Sequence, residues 1–319
     1  MNLIRQLQKL ILFLYILVRF RSVKLAYTLS YYNISINNLK LITKDGNYIK
    51  FSSNANKVSI PLLATFDFSI NQLFSLIDSP LALVTKSDED GFLISINGMS
   101  FMVNSLSNMA VLYELFIERI YEVSLNNSHL VVIDIGMNVG TASIYFANMD
   151  SVDMVYGYEP FPDTFNEAVS NIARNEHLSN KIKPFNIGVS DITCEKNISL
   201  FDSGLLSAST LNTSANYGKV ANKHIAVKLI GANELMDKVS NAHPNSSILL
   251  KIDCEGEEYG IFDMLKTTNY LDKVDCILLE WHEKGVESLA AILKSKGFQY
   301  FHAPNDKFES GMLYAFRLN

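Results

Sequence analysis

The sequence predicts an α/β protein built on a doubly wound, mostly parallel sheet, and three observations carry that prediction. After residue 128, apolar runs of five to seven residues alternate with helical or loop segments, the pattern of strands buried on both faces. Residues 131–147, VVIDIGMNVGTASIYFA, read as a buried strand, a glycine turn at Gly136 and Gly140, and then a helix. Glu159 closes the next apolar run 25 residues after Asp134, near the ~20-residue offset at which an acid meets ribose hydroxyls in such sheets.

The elements follow in order. Residues 10–18, LILFLYILV, form an uncharged apolar run between Lys9 and Arg19, which predicts a basic, apolar helix within residues 1–29. Nine helical residues span ~14 Å against a hydrocarbon core of ~30 Å, too short to cross it. The stretch RFRSVK that follows lacks the small-residue cleavage site of a signal peptide. On a helical wheel Arg5, Lys9 and Arg19 fall within about 80° of one another, with Leu12 and Ile16 interrupting the stripe. Two readings stay open: contact of residues 1–24 with an anionic membrane surface, or an ordinary helix packed against the rest of the chain. Residues 30–104 read as a small β-rich region, in which Asn97-Gly98 joins the alternations FLISI and MSFMV as a type I′ hairpin. A helix over 105–124, with Leu112, Leu115, Phe116 and Ile120 at helical spacing, leads into a main domain spanning 105–319. Its strands are predicted at 130–135, 154–159, 183–187, 247–253, 275–281, 297–301 and 312–317. The polar stretch 191–246 is expected to hold extra strands or a lid.

Composition removes several classes of function. With 48% hydrophobic and 19% charged residues among 319, the chain is neither disordered nor fibrous. Its net charge of −6 argues against a general nucleic-acid binder. That charge is unevenly placed, because residues 1–44 hold seven basic and no acidic side chains, leaving −13 on the remainder. Cys194, Cys254 and Cys276 form no C-x-x-C pair, so neither a disulfide framework nor a cysteine zinc site is expected and a reducing, cytoplasmic setting fits.

The glycine turn narrows the ligand. A dinucleotide fingerprint needs G-x-G-x-x-G, but Asn138 takes the middle glycine position and Thr141 the last, which disfavours NAD. Pro160-Phe161-Pro162-Asp163 stops the second strand directly after Glu159 and places its carboxylate at the sheet's carboxyl edge. A third constellation, ILLKIDCEGEEYGIFDML at 248–265, ends a strand in Asp253 and crowds Glu255, Glu257 and Glu258 around one turn. Helix-start charge accounts for Glu257 and Glu258, and Asp253 and Glu255 are left for a ligand. A fourth, CILLEWHEKG at 276–285, delivers Glu280 and His282 to the same edge. These acids and His282 could hold magnesium or manganese, but no dedicated metal-ligand spacing accompanies them, so a metal-free site is the expectation.

Taken together, D-I-G-M-N-V-G at 134–140, Y-E-P-F-P at 158–162, L-K-I-D-C-E-G-E-E at 250–258 and L-E-W-H-E at 279–283 resemble the FkbM family of S-adenosylmethionine-dependent methyltransferases. The resemblance covers about residues 110–318. It implies a class I methyltransferase sheet of seven strands, the last antiparallel, and S-adenosyl-L-methionine as cofactor. On that resemblance Asp134, Gly136, Asn138 and Gly140 surround the methionine and ribose, Glu159 holds the ribose hydroxyls, and Asp191 meets the adenine.

The expected reaction is transfer of the methyl group to a hydroxyl oxygen, of a sugar in a glycan or glycolipid, by an enzyme that is cytoplasmic and peripheral on the inner face of the membrane. His282 is the expected base, with Asp253 and Glu255 orienting the acceptor and Glu280 fixing the imidazole; a carboxylate is the alternative base. Two other functions compete. One is a nicotinamide-dependent sugar oxidoreductase; the other is a non-catalytic scaffold or glycan-binding protein on the same fold.

Overall fold

The computed structural model describes the chain apart from residues 1, 32–38, 41, 46–47, 54–55, 62–69, 87–90, 105, 124–128, 201–222, 306–308 and 318–319. It divides into two compact units, residues 1–122 and 123–319.

The first unit opens with α1 (Asn2–Phe20) and α2 (Val23–Tyr31). Leu12, Ile16 and Phe20 of α1 are buried together with Leu25, Ala26 and Leu29 of α2. Arg21, at φ +50°, breaks the run, and the Ser22 hydroxyl accepts the Leu25 N–H at 3.3 Å to start the second helix. Two three-stranded antiparallel sheets follow, β1 (Ile42–Asp45), β2 (Tyr48–Ser52) and β3 (Lys57–Pro61), then, after α3 (Ile70–Asp78), β4 (Ala82–Lys86), β5 (Phe92–Ile96) and β6 (Met99–Val103). Asn97 and Gly98, at φ +50° and +81°, close the β5–β6 hairpin with both central residues left-handed, as a type I′ turn requires. The helix expected over 105–124 is shorter. It runs as α4 (Leu106–Tyr113), widens into a π-helical turn over Glu114–Glu118, and stops at Arg119, which is left-handed.

The second unit is organised by a seven-stranded sheet. In chain order its strands are β7 (Leu130–Ile135), β8 (Val152–Tyr158), β9 (Ile182–Phe185), β13 (Ser247–Ile252), β14 (Val274–His282), β15 (Gln299–Pro304) and β16 (Ser310–Phe316). Their order across the sheet is β15-β16-β14-β13-β7-β8-β9. Only β16 is antiparallel to its neighbours. Every strand expected from the apolar runs is present, with ends moved by a few residues. The sixth begins at Gln299 rather than 297, because Gly297 at φ +83° closes the preceding helix. The crossovers are α5 (Thr141–Ala147), α6 (Pro162–Ala173), the short α7 (Glu176–Ser179), α8 (Ala232–Ala242), α9 (Glu258–Leu265) and α10 (Glu287–Ser295). Leu235, Phe262 and Leu289 from α8, α9 and α10 share one core with Ile133, Leu250 and Leu279 of the sheet. Extra strands do occupy the polar stretch. β10 (Gly188–Ser190), β11 (Cys194–Leu200) and β12 (Lys223–Gly231) form a small sheet with β12 central. Residues 201–222 of that stretch lie outside the described residues, and with them the alternative expectation of a lid.

The order in which strands are added reverses at β7, since β8 lies on one side of it and β13 on the other. That switch point is where open α/β sheets bind ligands. It is held by a charge pair. Lys251 of β13 lies opposite Asp134 of β7 in the parallel ladder. Its ammonium is 3.1 Å from Asp134 Oδ1, donates to the Gly136 carbonyl at 2.8 Å, and is 3.7 Å from Asp253 Oδ2. The second Asp134 oxygen accepts from Ser143 of α5 at 2.6 Å.

Removing one partner of a buried pair leaves an uncompensated charge. Lys251→Met is expected to lower unfolding free energy by about 3–5 kcal/mol, and adding Asp134→Leu to recover part of it, as read from urea denaturation midpoints. A single variant as stable as the parent would show that the pair holds nothing.

Candidate active site

The site is assembled where β7, β8, β13 and β14 end. After β7 the chain turns through Gly136 at φ +78°, and a Cβ there would sit 1.7 Å from the Asp253 carbonyl oxygen. Only glycine lets the β7 and β13 turns approach so closely. The Gly136 and Met137 N–H groups donate to the Tyr158 carbonyl at 3.1 and 2.9 Å, which fixes the turn against the end of β8. Asn138 is also left-handed, at φ +52°. Gly140, at φ +83°, starts α5, and its missing Cβ makes room for Ala168 of α6.

Glu159 stands one residue past β8, buried, with its backbone N–H still bonded to the Phe185 carbonyl. The backbone N–H groups of Phe161 and Asn138 donate to its two carboxyl oxygens, each at 3.0 Å. Burial pushes the group up to about 7, opposed by those two N–H groups and by Lys251. A carboxylate has about four acceptor positions, so two remain for outside donors. The cleft beside it is lined by Gly136, Asn138, Tyr158, Phe161, Asp253 and Glu255, among others. A nucleoside fits this lining: a buried acceptor for vicinal hydroxyls, aromatic walls, and a turn with no side chain to block approach. The S-adenosylmethionine implied by the sequence resemblance matches those demands.

Opposite this half lies a knot of charge around His282. Glu258, fully buried, receives the backbone N–H of His282 at 2.7 Å and that of Gly256 at 2.8 Å, and lies 3.3 Å from imidazole Nδ1. Nε2 faces Asp253, Glu255 and Glu280, with one oxygen of each at 3.9 Å. These are ion-pair distances, too long for hydrogen bonds. Burial alone would pull the imidazole down, but the Glu258 hydrogen bond and the Asp253 and Glu255 carboxyls outweigh it and hold His282 at about 10. Glu255 is raised to about 7, chiefly by burial, with the charge of His282 opposing. The surrounding carboxyls thus favour the imidazolium form of His282. Asp253, Glu255 and His282 bring one ligand atom each within 4.8 Å of one another, a spacing that suits a cation, which would displace the proton of the ring on binding.

The expected residues divide by place. Gly136, Asn138, Glu159, Asp253 and Glu255 line the cleft, and His282 and Glu280 join the last two from β14. Asp134 and Gly140 stand behind the lining, the first occupied with Lys251 and Ser143 and the second packed on α6. Asp191 is exposed, 3.0 Å from the Ser190 hydroxyl, whose single proton lies between it and the nearer Glu257.

One expectation is corrected. The carboxyl hydrogen-bonded to the imidazole is Glu258, not Glu280, because the start of α9 lies against the end of β14. Glu257 and Glu258 do stand at the start of α9, and both are buried there. Glu257 lines the cleft and is bound by Ser190 at 2.7 Å and Lys196 at 3.3 Å. Lys251 went unread, although a lone cation in the apolar run SILLKI was its signal.

A family model described as "Methyltransferase FkbM domain" matches residues 134–300, just over half of the 319-residue chain. Among curated proteins, "Methyltransferase sdnD" of Sordaria araneosa is 20% identical over 67% of this chain and 90% of its own length. "Hexuronic acid methyltransferase AglP" of Haloferax volcanii is 26% identical over 48% of this chain and 56% of its own. The crystal structure of a methyltransferase FkbM from Methylobacillus flagellatus KT superposes with a TM-score of 0.42 at 12% identity, over 61% of this chain and 45% of that one. The chain thus spans little over half of the second curated relative and less than half of the solved protein.

Glu159→Gln is expected to weaken binding of S-adenosylmethionine about ten- to a hundredfold, as measured by calorimetry. Only the ionised carboxyl accepts both hydroxyls without giving up a position to its own proton. Parent affinity should therefore rise as pH climbs through about 7, while the Gln variant stays flat. Equal affinities in parent and variant would move the ribose site elsewhere.

Proposed function

Because the chain belongs to the FkbM methyltransferase family, we propose that it transfers the methyl group of S-adenosylmethionine to a hydroxyl oxygen of a sugar, in a glycan or glycolipid. The observation carrying this reading is the contact between two chemistries. Asp253 and Glu255 line the cleft that Glu159 closes, and the same two carboxyls reach His282. A nucleoside-sized site thus opens directly onto a cluster able to hold hydroxyls and take a proton.

The cofactor supplies an electrophilic methyl carbon on a sulfonium, so no residue need activate it. What remains for the chain is to orient an acceptor oxygen and remove its proton. Asp253 and Glu280 accept hydrogen bonds from acceptor hydroxyls. Glu255, raised to about 7, is the group matched to take the proton at neutral pH. His282 keeps its own proton and acts as a fixed positive charge, clamped by Glu258 so that Nε2 faces the three carboxyls. With the cofactor held on the Glu159 side of the cleft, Glu255 would take the proton of the acceptor hydroxyl as that oxygen becomes methylated. An acidic rim favours a neutral sugar hydroxyl over an anionic acceptor such as the hexuronic acid in the name of the archaeal relative.

Transfer of labelled methyl from S-adenosylmethionine into fractionated lipids, glycans and soluble metabolites tests the reaction and finds the acceptor. Label in no fraction, with the cofactor bound, would favour the scaffold reading, and binding of NAD(H) in its place the oxidoreductase. With acceptor in hand, kcat/KM should rise as Glu255 ionises near pH 7 and fall as His282 loses its proton near 10. Glu255→Gln should cost about 10²–10⁴ in kcat with cofactor affinity kept. His282→Gln should lose the alkaline limb. Full activity in the Glu255 variant would return the proton to another group.

A further inference from the structure

The long helix α1 is apolar on two opposite sides. One side, Leu12, Ile16 and Phe20, is buried. The other holds Leu7, Leu10, Ile11, Leu14, Tyr15 and Val18, which are 43–79% exposed. At 100° per residue these six occupy an arc of about 140°, centred nearly opposite the buried side. Singly exposed apolar residues are common, but six side chains on one continuous stripe form a patch that calls for a partner.

Charge decides which partner. No acidic residue occurs in residues 1–44, and Lys9, Arg19, Arg21, Lys40 and Lys44 are all exposed. Two copies meeting through this face would bring two sets of seven positive charges together. An anionic lipid surface attracts those charges and accepts the stripe among its acyl chains. No helix among the described residues is long and apolar enough to cross a membrane, so α1 would lie along the surface rather than through it.

We propose that the outward stripe of α1 docks in the plane of an anionic lipid bilayer, with Leu7, Ile11, Leu14 and Val18 inserted, and that the net positive charge of residues 1–44 draws the helix to that surface. This revises the sequence expectation in one respect. The side of the helix carrying Lys9, with Leu12 and Ile16, is turned inward, where Lys9 donates to the Tyr31 carbonyl at 3.0 Å, and the inserting face is the apolar one opposite.

The test is cosedimentation of the full chain with phosphatidylglycerol–phosphatidylcholine vesicles and with phosphatidylcholine alone. Binding should be stronger to the anionic vesicles and should weaken with added salt. Replacing Leu7, Ile11, Leu14 and Val18 together by Gln should weaken it about tenfold or more. These side chains are exposed, so S-adenosylmethionine binding should be unchanged and reports that the variant is folded. The proposal is overturned if the parent ignores vesicles or if the variant binds them equally well. A parent that self-associates in light scattering and becomes monomeric in the variant would also overturn it, giving the face to a second copy. None of these outcomes depends on methyl transfer.

Discussion

The geometry of the cleft depends on one buried ammonium. Lys251 touches, through a single nitrogen, the last acid of β7, the first carbonyl of its turn and the first acid after β13. Burial disfavours its charge, but Asp134 and Asp253 outweigh that and hold the group above the ordinary lysine range. Such a pair adds little net stability over well-packed apolar side chains. Its effect is on position. The Gly136 carbonyl and the Asp253 carboxyl are drawn to one point, while the Asp253 N–H bonds to the Ile135 carbonyl at 3.0 Å and the Asp253 backbone carbonyl fills the space a side chain at Gly136 would need.

The two halves of the cleft then acquire different electrostatics from similar residue types. Glu159 is raised by burial in a setting of backbone N–H donors. It is suited to hold hydroxyls and poorly placed to move protons. Glu255 is raised to a similar value, but it faces His282, whose charge is favoured by Glu258 from behind and by Asp253 and Glu255 in front. One imidazolium among four acids lets the acids coexist in a small volume. It also favours a carboxyl over the ring as the proton acceptor in the proposed reaction, a role other than the one a histidine at a strand end first suggests.

Much of this was legible in sequence because the signals are local. Apolar runs gave the seven strands, Asn97-Gly98 gave the hairpin, and the Asp134-to-Glu159 offset placed Glu159 in the lining of the cleft. The unread parts depend on pairing between distant segments. Lys251 gains its meaning only when β13 aligns with β7 and sets it opposite Asp134. Glu258 resembles an ordinary helix-start charge until β14 passes over it and supplies the His282 N–H. The helix over 105–124 matched its spacing, but periodicity does not report the π turn at Glu114–Glu118 that ends it early.

Apolar composition was the least decisive signal of all. LILFLYILV contributes residues to both sides of α1, and nothing in the run distinguishes Leu12, 8% exposed, from Ile11, 59% exposed. The distinction comes from α2, which supplies Leu25, Ala26 and Leu29 as buried partners for one side alone. A helix with one such partner is left with a second apolar side that water disfavours. The separation of charge follows the same division. The acids that serve the cleft lie in the second unit and would be repelled by an anionic surface, so attraction to one requires a segment free of acids. Residues 1–44, in the first unit, are such a segment.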